Sequence, residues 1–358
     1  MIPDAFGESA RWSVGIEEEL MLLDPETYKL SPAVYDILDE IGERELPGRM
    51  KTELFASVVE ITTGICTNAD EALDALRVLR TVASEAAARR GVLVAAAGSH
   101  PTSPPAEQEI AREERYEAFV EYAGISARRQ GVSGLHVHVG MPDGETCYRV
   151  LEALLPWLPA LLAVSANSPY LDGAETGLLS CRAEVLASLP RSGAPPVLGS
   201  YRAWAEFVER LQRAGLPLTD DYRSFWWDIR PHPMYGTLEI RMPDQPTSLE
   251  RSGAFARLLQ QACAFFGDDE IRPQDPARRG DYAQNRWAAA RFGPQALLVH
   301  PEGDRVVAAT DLVRELVERT GPVPGLDARV CEAERQLEVG RADGLNAMCA
   351  DLVDRSIP

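Results

Sequence analysis

The sequence predicts an α+β fold built on an antiparallel or mixed sheet, and three observations predict it. Strand-like runs are scattered through the first two thirds of the chain. Hairpin-type or long connections join several of them, in place of regular crossover helices. From about residue 247 the pattern is mostly helical.

Residues 12–24 read as a strand, because Val14, Ile16, Leu20 and Leu22 alternate against Gly15, Glu17, Glu19 and Met21. Residues 49–65 read as a second extended segment. Asn68 then caps a helix, with Glu71 three residues on as a capping box. Leu73, Leu76, Leu79 and Val82 form its apolar stripe, and Gly91 ends it. Val92–Gly98 reads as a buried strand, 106–123 as a helix and 133–141 as a strand. A long helix over 145–166 contains prolines that predict a kink. The Gly-, Ser-, Ala- and Pro-rich stretch 172–199 predicts a long loop. A helix at 200–214 follows, then strands 224–231 and 236–243 joined by a turn at Pro231–Gly236.

The 358 residues allow one large domain or two ordinary ones, and 45 % hydrophobic content allows a sizeable core. A net charge of −19 argues against nucleic acid and anionic membrane as partners. A local site can still invert that sign and take an anion. Only Lys29 and Lys51 are lysines, so recognition of phosphate or carboxylate falls mainly to arginine, whose planar fork binds two oxygens. Six cysteines are scattered without a C-x-x-C pair and read as reduced structural residues of a cytoplasmic protein. The acidic start shows no signal peptide. The uncharged stretch 153–171 is the best membrane candidate, but its prolines favour a buried helix followed by a loop.

The chemistry-bearing residues fall on strands. In G-I-E-E-E, Glu17 and Glu19 share one face and Glu18 takes the other. Two adjacent carboxylates are either a solvated face or a pair that needs a cation. Glu60, between Val59 and Ile61, reads as buried, and buried carboxylates are usually paired or metal-bound. Seven residues separate it from Glu53, which places the two on opposite faces of a regular strand. Both can serve one site only if the segment bulges or begins beyond Glu53. His136 and His138 share a face with Gly140, a metal-ligand spacing and also an ordinary polar sheet face. Glu239 and Arg241 share another face, as a phosphoryl-transfer pair or a structural ion pair. Asp228 and Arg230 share a similar face one strand away, and Trp226 and Trp227 read as core or pocket wall. Arg286 and Arg291 on a helix reach nucleotide phosphates or are solvated charges. No P-loop or dinucleotide-binding glycine motif is present.

Taken in order, these motifs resemble the bacterial carboxylate–amine ligases of the glutamate–cysteine ligase 2 family. The matches are G-I-E-E-E-L at 15–20, the Glu53–Glu60 segment, G-S-H-P at 98–101 and G-L-H-V-H-V-G at 134–140. They continue with N-S-P-Y at 167–170, W-D-I-R-P-H-P at 227–233, G-T-L-E-I-R at 236–241 and N-R-W-A-A-A-R-F-G at 285–293, over about residues 10–300. Ser99 stands where the family usually has Thr, and Phe292 where it has Tyr.

The resemblance implies a glutamine-synthetase-like fold, with a curved, mainly antiparallel sheet and helices packed on one face. It implies a single ligase domain, taken over 1–358, and the helical pattern makes about 300–358 a C-terminal lobe of the same domain. It implies Mg²⁺ or Mn²⁺ held by Glu17, Glu19, Glu53, Glu60, His136 and Glu239. Arg241 and Glu53 are the implied catalytic residues. His138, Arg182, Arg230, Asn285, Arg286 and Arg291 are the implied substrate- or nucleotide-binding residues. The expected partners are ATP, glutamate and cysteine or another small amine, with a homodimer as candidate assembly. The expected reaction joins glutamate through its γ-carboxylate, by way of an acyl phosphate. A guanidino-kinase-like phosphotransferase, a catalytically silent nucleotide-binding homologue and a zinc hydrolase using His136 and His138 remain as alternatives.

Overall fold

The computed structural model describes residues 2–218, 222–268 and 275–357. Its centre is strand β1 (Val14–Leu23), which pairs with three others. The remaining strands of this sheet are β2 (Gly48–Thr52), β3 (Val58–Thr63), β4 (Leu93–Ala95), β5 (Leu135–Gly140), β6 (Ile229–His232) and β7 (Thr237–Ile240). The order is β2-β3-β1-β5-β7-β6, with β4 also on β1, and every ladder among the described residues is antiparallel.

Alternation gives the sheet two unlike faces. Ile16, Leu20, Leu22, Val59, Ile61, Val137, Val139, Leu238 and Ile240 are buried in one continuous core. They pack on the helices Ala69–Arg89, Gly144–Leu154 and Leu249–Gly267, whose apolar residues join that core. The opposite face carries the acids and histidines. The sheet is curved enough that its two edges meet over this face. Arg49 Nη2, on β2, donates to the Tyr235 hydroxyl of the β6–β7 turn at 2.8 Å.

The cap of the Ala69–Arg89 helix follows its sequence signal with one shift. Asn68 Oδ1 accepts from the N–H groups of Asp70 and Glu71 at 3.0 and 3.1 Å. Glu71 reaches back to the N–H of Thr67 at 2.7 Å instead of that of Asn68.

Several expected elements are shorter or broken. Residues 49–65 are not one extended segment but the β2–β3 hairpin, turning at 53–57. Leu54 and Phe55 leave the sheet to pack with Val58, Ala111 and Tyr116. The same contact explains why the predicted helix at 106–123 is confined to Glu114–Ala123, after a short turn at Pro105–Glu107. The backbone in between pairs with the turn, Ala56 N to Glu109 O and Ala111 N to Leu54 O, both at 2.9 Å. The expected loop at 172–199 contains a helix, Cys181–Ala187, capped by Ser180 Oγ accepting from the N–H of Ala183 at 3.3 Å. The strand expected over Val92–Gly98 shortens to β4.

The predicted kink at 145–166 is present: the helix breaks at Leu155–Trp157, around Pro156, and resumes as Leu158–Ser165. This is also the one stretch among the described residues long and apolar enough to cross a membrane, and most of it is buried inside the protein. Beyond residue 247 the described residues form helices, their connecting loops and one small hairpin, Leu297–Val299 with Val306–Ala308. The last helix, Leu345–Ser356, packs Leu352 and Val353 on Met21, Leu23, Ala95 and Ala97. All six cysteines are free and buried.

Candidate active site

The strand register assembles the site. Glu17 lies opposite His136, and Glu19 lies opposite Glu60. Lys51 lies opposite Glu60 on its other side, His138 opposite Glu239, and Glu239 opposite Arg230. Six neighbouring strands thus pool their polar faces in one cleft of about 430 Å³. Glu53 enters it from the β2–β3 turn, which answers how two acids seven residues apart share a site: the chain reverses between them.

One oxygen of Glu17, one nitrogen of His136 and one oxygen of Glu239 lie within 4.8 Å of one another. His136 Nδ1 is 3.3 Å from Glu17 Oε2, and His138 Nε2 is 3.6 Å from Glu17 Oε1. His138 Nδ1 is anchored by the Thr237 hydroxyl at 2.9 Å, whereas its buried Nε2 has no hydrogen-bond partner. Arg230 clamps Glu239 with Nε and Nη2 at 2.6 and 3.1 Å, and Arg241 Nη1 adds a third contact at 2.5 Å.

These contacts set the charge states. Burial would raise Glu17, but the neighbouring imidazoles of His136 and His138 outweigh it and hold the carboxyl well below its ordinary value. Burial is likewise outweighed at Glu239, by the charges of Arg230 and Arg241. Burial and the Arg241 charge push His136 down to about 4, so its imidazole is neutral at neutral pH, the form that binds a metal. Burial and the Glu53 charge raise Glu19 to about 7, against Arg182, the Gly134 N–H and Arg241. Burial and the Glu17 charge raise Glu60 well above the carboxylate range, against Lys51. Carboxylates crowded to this degree fit a divalent cation, which removes the repulsion that pushes them toward the neutral form. The oxygen-rich donor set with one or two imidazoles suits Mg²⁺ or Mn²⁺.

Glu17, Glu19, Glu53, Glu60, His136, His138, Arg230, Glu239 and Arg241 therefore line one cleft. Arg182, Asn285, Arg286 and Arg291 do not. Arg182 is buried behind the site, donating to the carbonyls of Arg241 and Met242 at 3.0 and 3.1 Å. It passes so close to β5 that a Cβ on Gly134 would sit 2.0 Å from its Nη2. Arg286 binds Asp228 Oδ2 and the Ala183 carbonyl at 2.9 and 2.7 Å. That ion pair also takes Asp228 away from Arg230. Asn285 exchanges two hydrogen bonds with the backbone of Val299, both at 2.8 Å. Arg291 is exposed, its guanidinium over the Phe292 ring. A helix can present only part of a nine-residue motif to one site, and here the helix Arg278–Phe292 braces the site from behind.

The cleft also holds residues that sequence reasoning passed over: Lys51, Arg115, His232 and Tyr235. His232 was legible, because it follows Arg230 by two on the same strand face. Its ring stacks on Tyr235 at 4.2 Å between centroids. Trp226, expected as core or pocket wall, lines the cleft and contacts Phe119 at 5.0 Å between ring centroids.

Comparison with known proteins places the chain in a family. The model of glutamate–cysteine ligase family 2 (GCS2) matches residues 13–342. The chain belongs to that family. Among its GCS2 relatives is the Rubrobacter xylanophilus protein named "Putative glutamate–cysteine ligase 2-3". The two are 41 % identical over 338 residues, 94 % of this chain and 91 % of that one. A Herpetosiphon aurantiacus relative, "Putative glutamate–cysteine ligase 2", is 36 % identical over 86 % of this chain and 80 % of its own. The GCS2 chain also shares its fold with the glutamate–cysteine ligase of Francisella tularensis solved in complex with AMP. That match has a TM-score of 0.74 at 14 % identity, covering 98 % of this chain and 89 % of that one. A bifunctional glutathione synthetase from Pasteurella multocida matches with a TM-score of 0.67 at 18 % identity, over 97 % of this chain and 52 % of that one. The GCS2 chain is thus an ATP-dependent carbon–nitrogen ligase, with a mainly antiparallel sheet and the fold of the Francisella tularensis enzyme.

Proposed function

We propose that the enzyme joins the γ-carboxylate of glutamate to cysteine or another small amine, through an acyl phosphate, with release of ADP and phosphate. The observation that carries this reading is the convergence of five carboxylates, three imidazoles and four arginines on one cleft. All six cysteines are buried away from it, and no side-chain nucleophile is needed.

A carboxylate resists attack by an amine because oxide is a poor leaving group. Transfer of the γ-phosphoryl group from ATP makes phosphate the leaving group instead. Glu17, His136 and Glu239, with Glu19, Glu53 and Glu60 around them, would hold Mg²⁺ or Mn²⁺, which when bound neutralises charge on the phosphates. Arg241 steadies the transferring group with a planar fork, while Arg230 fixes Glu239 from the other side. Arg182, bonded to the backbone of Arg241, keeps that segment in place. Glu53, on the β2–β3 turn and not within a ladder, takes the proton from the attacking amine.

The test is an ADP-release screen over amino acids and amines with the product mass measured. A mass equal to glutamate plus amine minus water supports the reading. ADP release with a phosphorylated guanidino product would replace it with the phosphotransferase alternative.

A further inference from the structure

One of only two lysines in the chain stands on the cleft. Lys51 belongs to edge strand β2, in register with Glu60, which is itself in register with Glu19. Its Nζ lies 3.0 Å from Glu60 Oε1. The Glu60 side chain is almost wholly buried, whereas the Lys51 side chain stays 35 % exposed. An ammonium has three donors, and among the described residues Glu60 is the one acceptor that holds it.

The arginines around the cleft are committed differently. Arg230 spends its fork on Glu239 and its third nitrogen on the carbonyls of Arg223 and Phe225. Arg241 is bonded to Glu239, and Arg115 to Glu113 and the Tyr116 hydroxyl. Arg230 and Arg241 stand on the β6–β7 side of the acids, and Lys51 stands on the β2 side. A polyanion entering among five carboxylates needs positive charge on both flanks. On the β2 flank Lys51 supplies it with donor capacity to spare. A compact ammonium with rotatable N–H bonds suits an oxyanion whose position changes during transfer.

We propose that Lys51 is a further substrate-binding residue, its Glu60-held ammonium taking a phosphate oxygen of the nucleotide. This rests on the ligase reading above. Glu60 is then the group that positions Lys51 as well as a neighbour of Glu19. A substrate carboxylate offers the same oxyanion chemistry, so the experiment separates the two sources.

The lysine count makes the experiment direct. The full chain is acetylated with an amine-selective reagent, and modification at Lys51 and Lys29 is followed by peptide mass spectrometry. Lys29 is exposed and serves as internal control. MgATP should slow labelling of Lys51 several-fold and leave Lys29 unchanged, while glutamate alone should protect neither. Lys51→Met should weaken MgATP binding, measured by calorimetry, by about tenfold, or ~1.4 kcal/mol. Lys51→Arg should recover most of that loss.

Protection by glutamate in place of MgATP would assign the ammonium to the carboxylate and overturn the nucleotide assignment. Unprotected Lys51 with wild-type nucleotide affinity in Lys51→Met, in a protein that does bind MgATP, would reduce Lys51 to a structural partner of Glu60. A wild-type protein that binds no MgATP would sink the ligase reading itself, and this proposal with it.

Discussion

Glu18 and Arg80 form a fully buried two-pronged ion pair directly behind the acids of the cleft. Arg80 Nε and Nη2 lie 2.6 and 2.7 Å from the two Glu18 oxygens. The remaining donors of Arg80 reach the carbonyls of Thr247, Ser356 and Pro246. Gln245 Nε2 and Ser252 Oγ complete the shell around Glu18. The middle acid of G-I-E-E-E thus ties β1 to the Ala69–Arg89 helix and to the C-terminus. Arg80→Met leaves Glu18 charged and unpaired in the core. That should cost about 3–5 kcal/mol, read from chemical denaturation of the purified variant.

Divalent metal should be required. Chelation should abolish ADP release, and Mn²⁺ should restore it. Glu17→Gln removes a charge that a neutral amide cannot replace, and calorimetric titration should show Mn²⁺ binding lost or severely weakened. Thr237→Val removes the hydrogen bond that orients His138 and should weaken the metal by on the order of tenfold. A wild-type titration in both variants would remove the metal reading.

The nucleotide product should be ADP and not AMP, because attack at the γ-phosphorus is what an acyl-phosphate route requires. Arg241→Lys should lower kcat by more than about tenfold, ~1.4 kcal/mol in the barrier, since a point charge cannot hold both Glu239 and a phosphoryl oxygen. Quantifying both nucleotides by chromatography during turnover checks the first point, and steady-state kinetics the second.

The amine preference should be broad. Besides its carboxylates, the cleft is walled by Phe119, Trp226, Leu186, Leu189 and Leu218. A small thiol does not fill such a wall. Amines with apolar side chains should therefore release ADP at rates comparable to that with cysteine, and Trp226→Ala should lower kcat/KM for the bulkier ones first. Exclusive use of cysteine across an amine panel would contradict this.

Much of the site was legible because strand alternation is a local rule. Glu17 and Glu19 face together, as do His136 and His138, whatever the rest of the chain does. The separation of Glu53 from Glu60 was harder. Resolving it required knowing that Leu54 and Phe55 find partners in Ala111 and Tyr116, about 55 to 60 residues away, and leave the sheet to reach them. Arg80 carried a readable signal. It sits beside Leu76, Leu79 and Ala83 on the buried stripe of its helix, where a charge demands an opposite charge, and Glu18 was already pointed at the core. The choice for Arg286 and Arg291 between phosphate contact and solvated charge was not legible, because helix periodicity gives faces and only packing decides which face looks toward the cleft.

The burial of all six cysteines has a consequence for redox behaviour. Removal from water raises every one of these thiols; Cys181, Cys331 and Cys349 reach about 12. Thiolate, not thiol, attacks disulfides and is oxidised first. Buried thiols held in the protonated form offer little thiolate to a passing disulfide, so low-molecular-weight disulfides should exchange with this protein slowly.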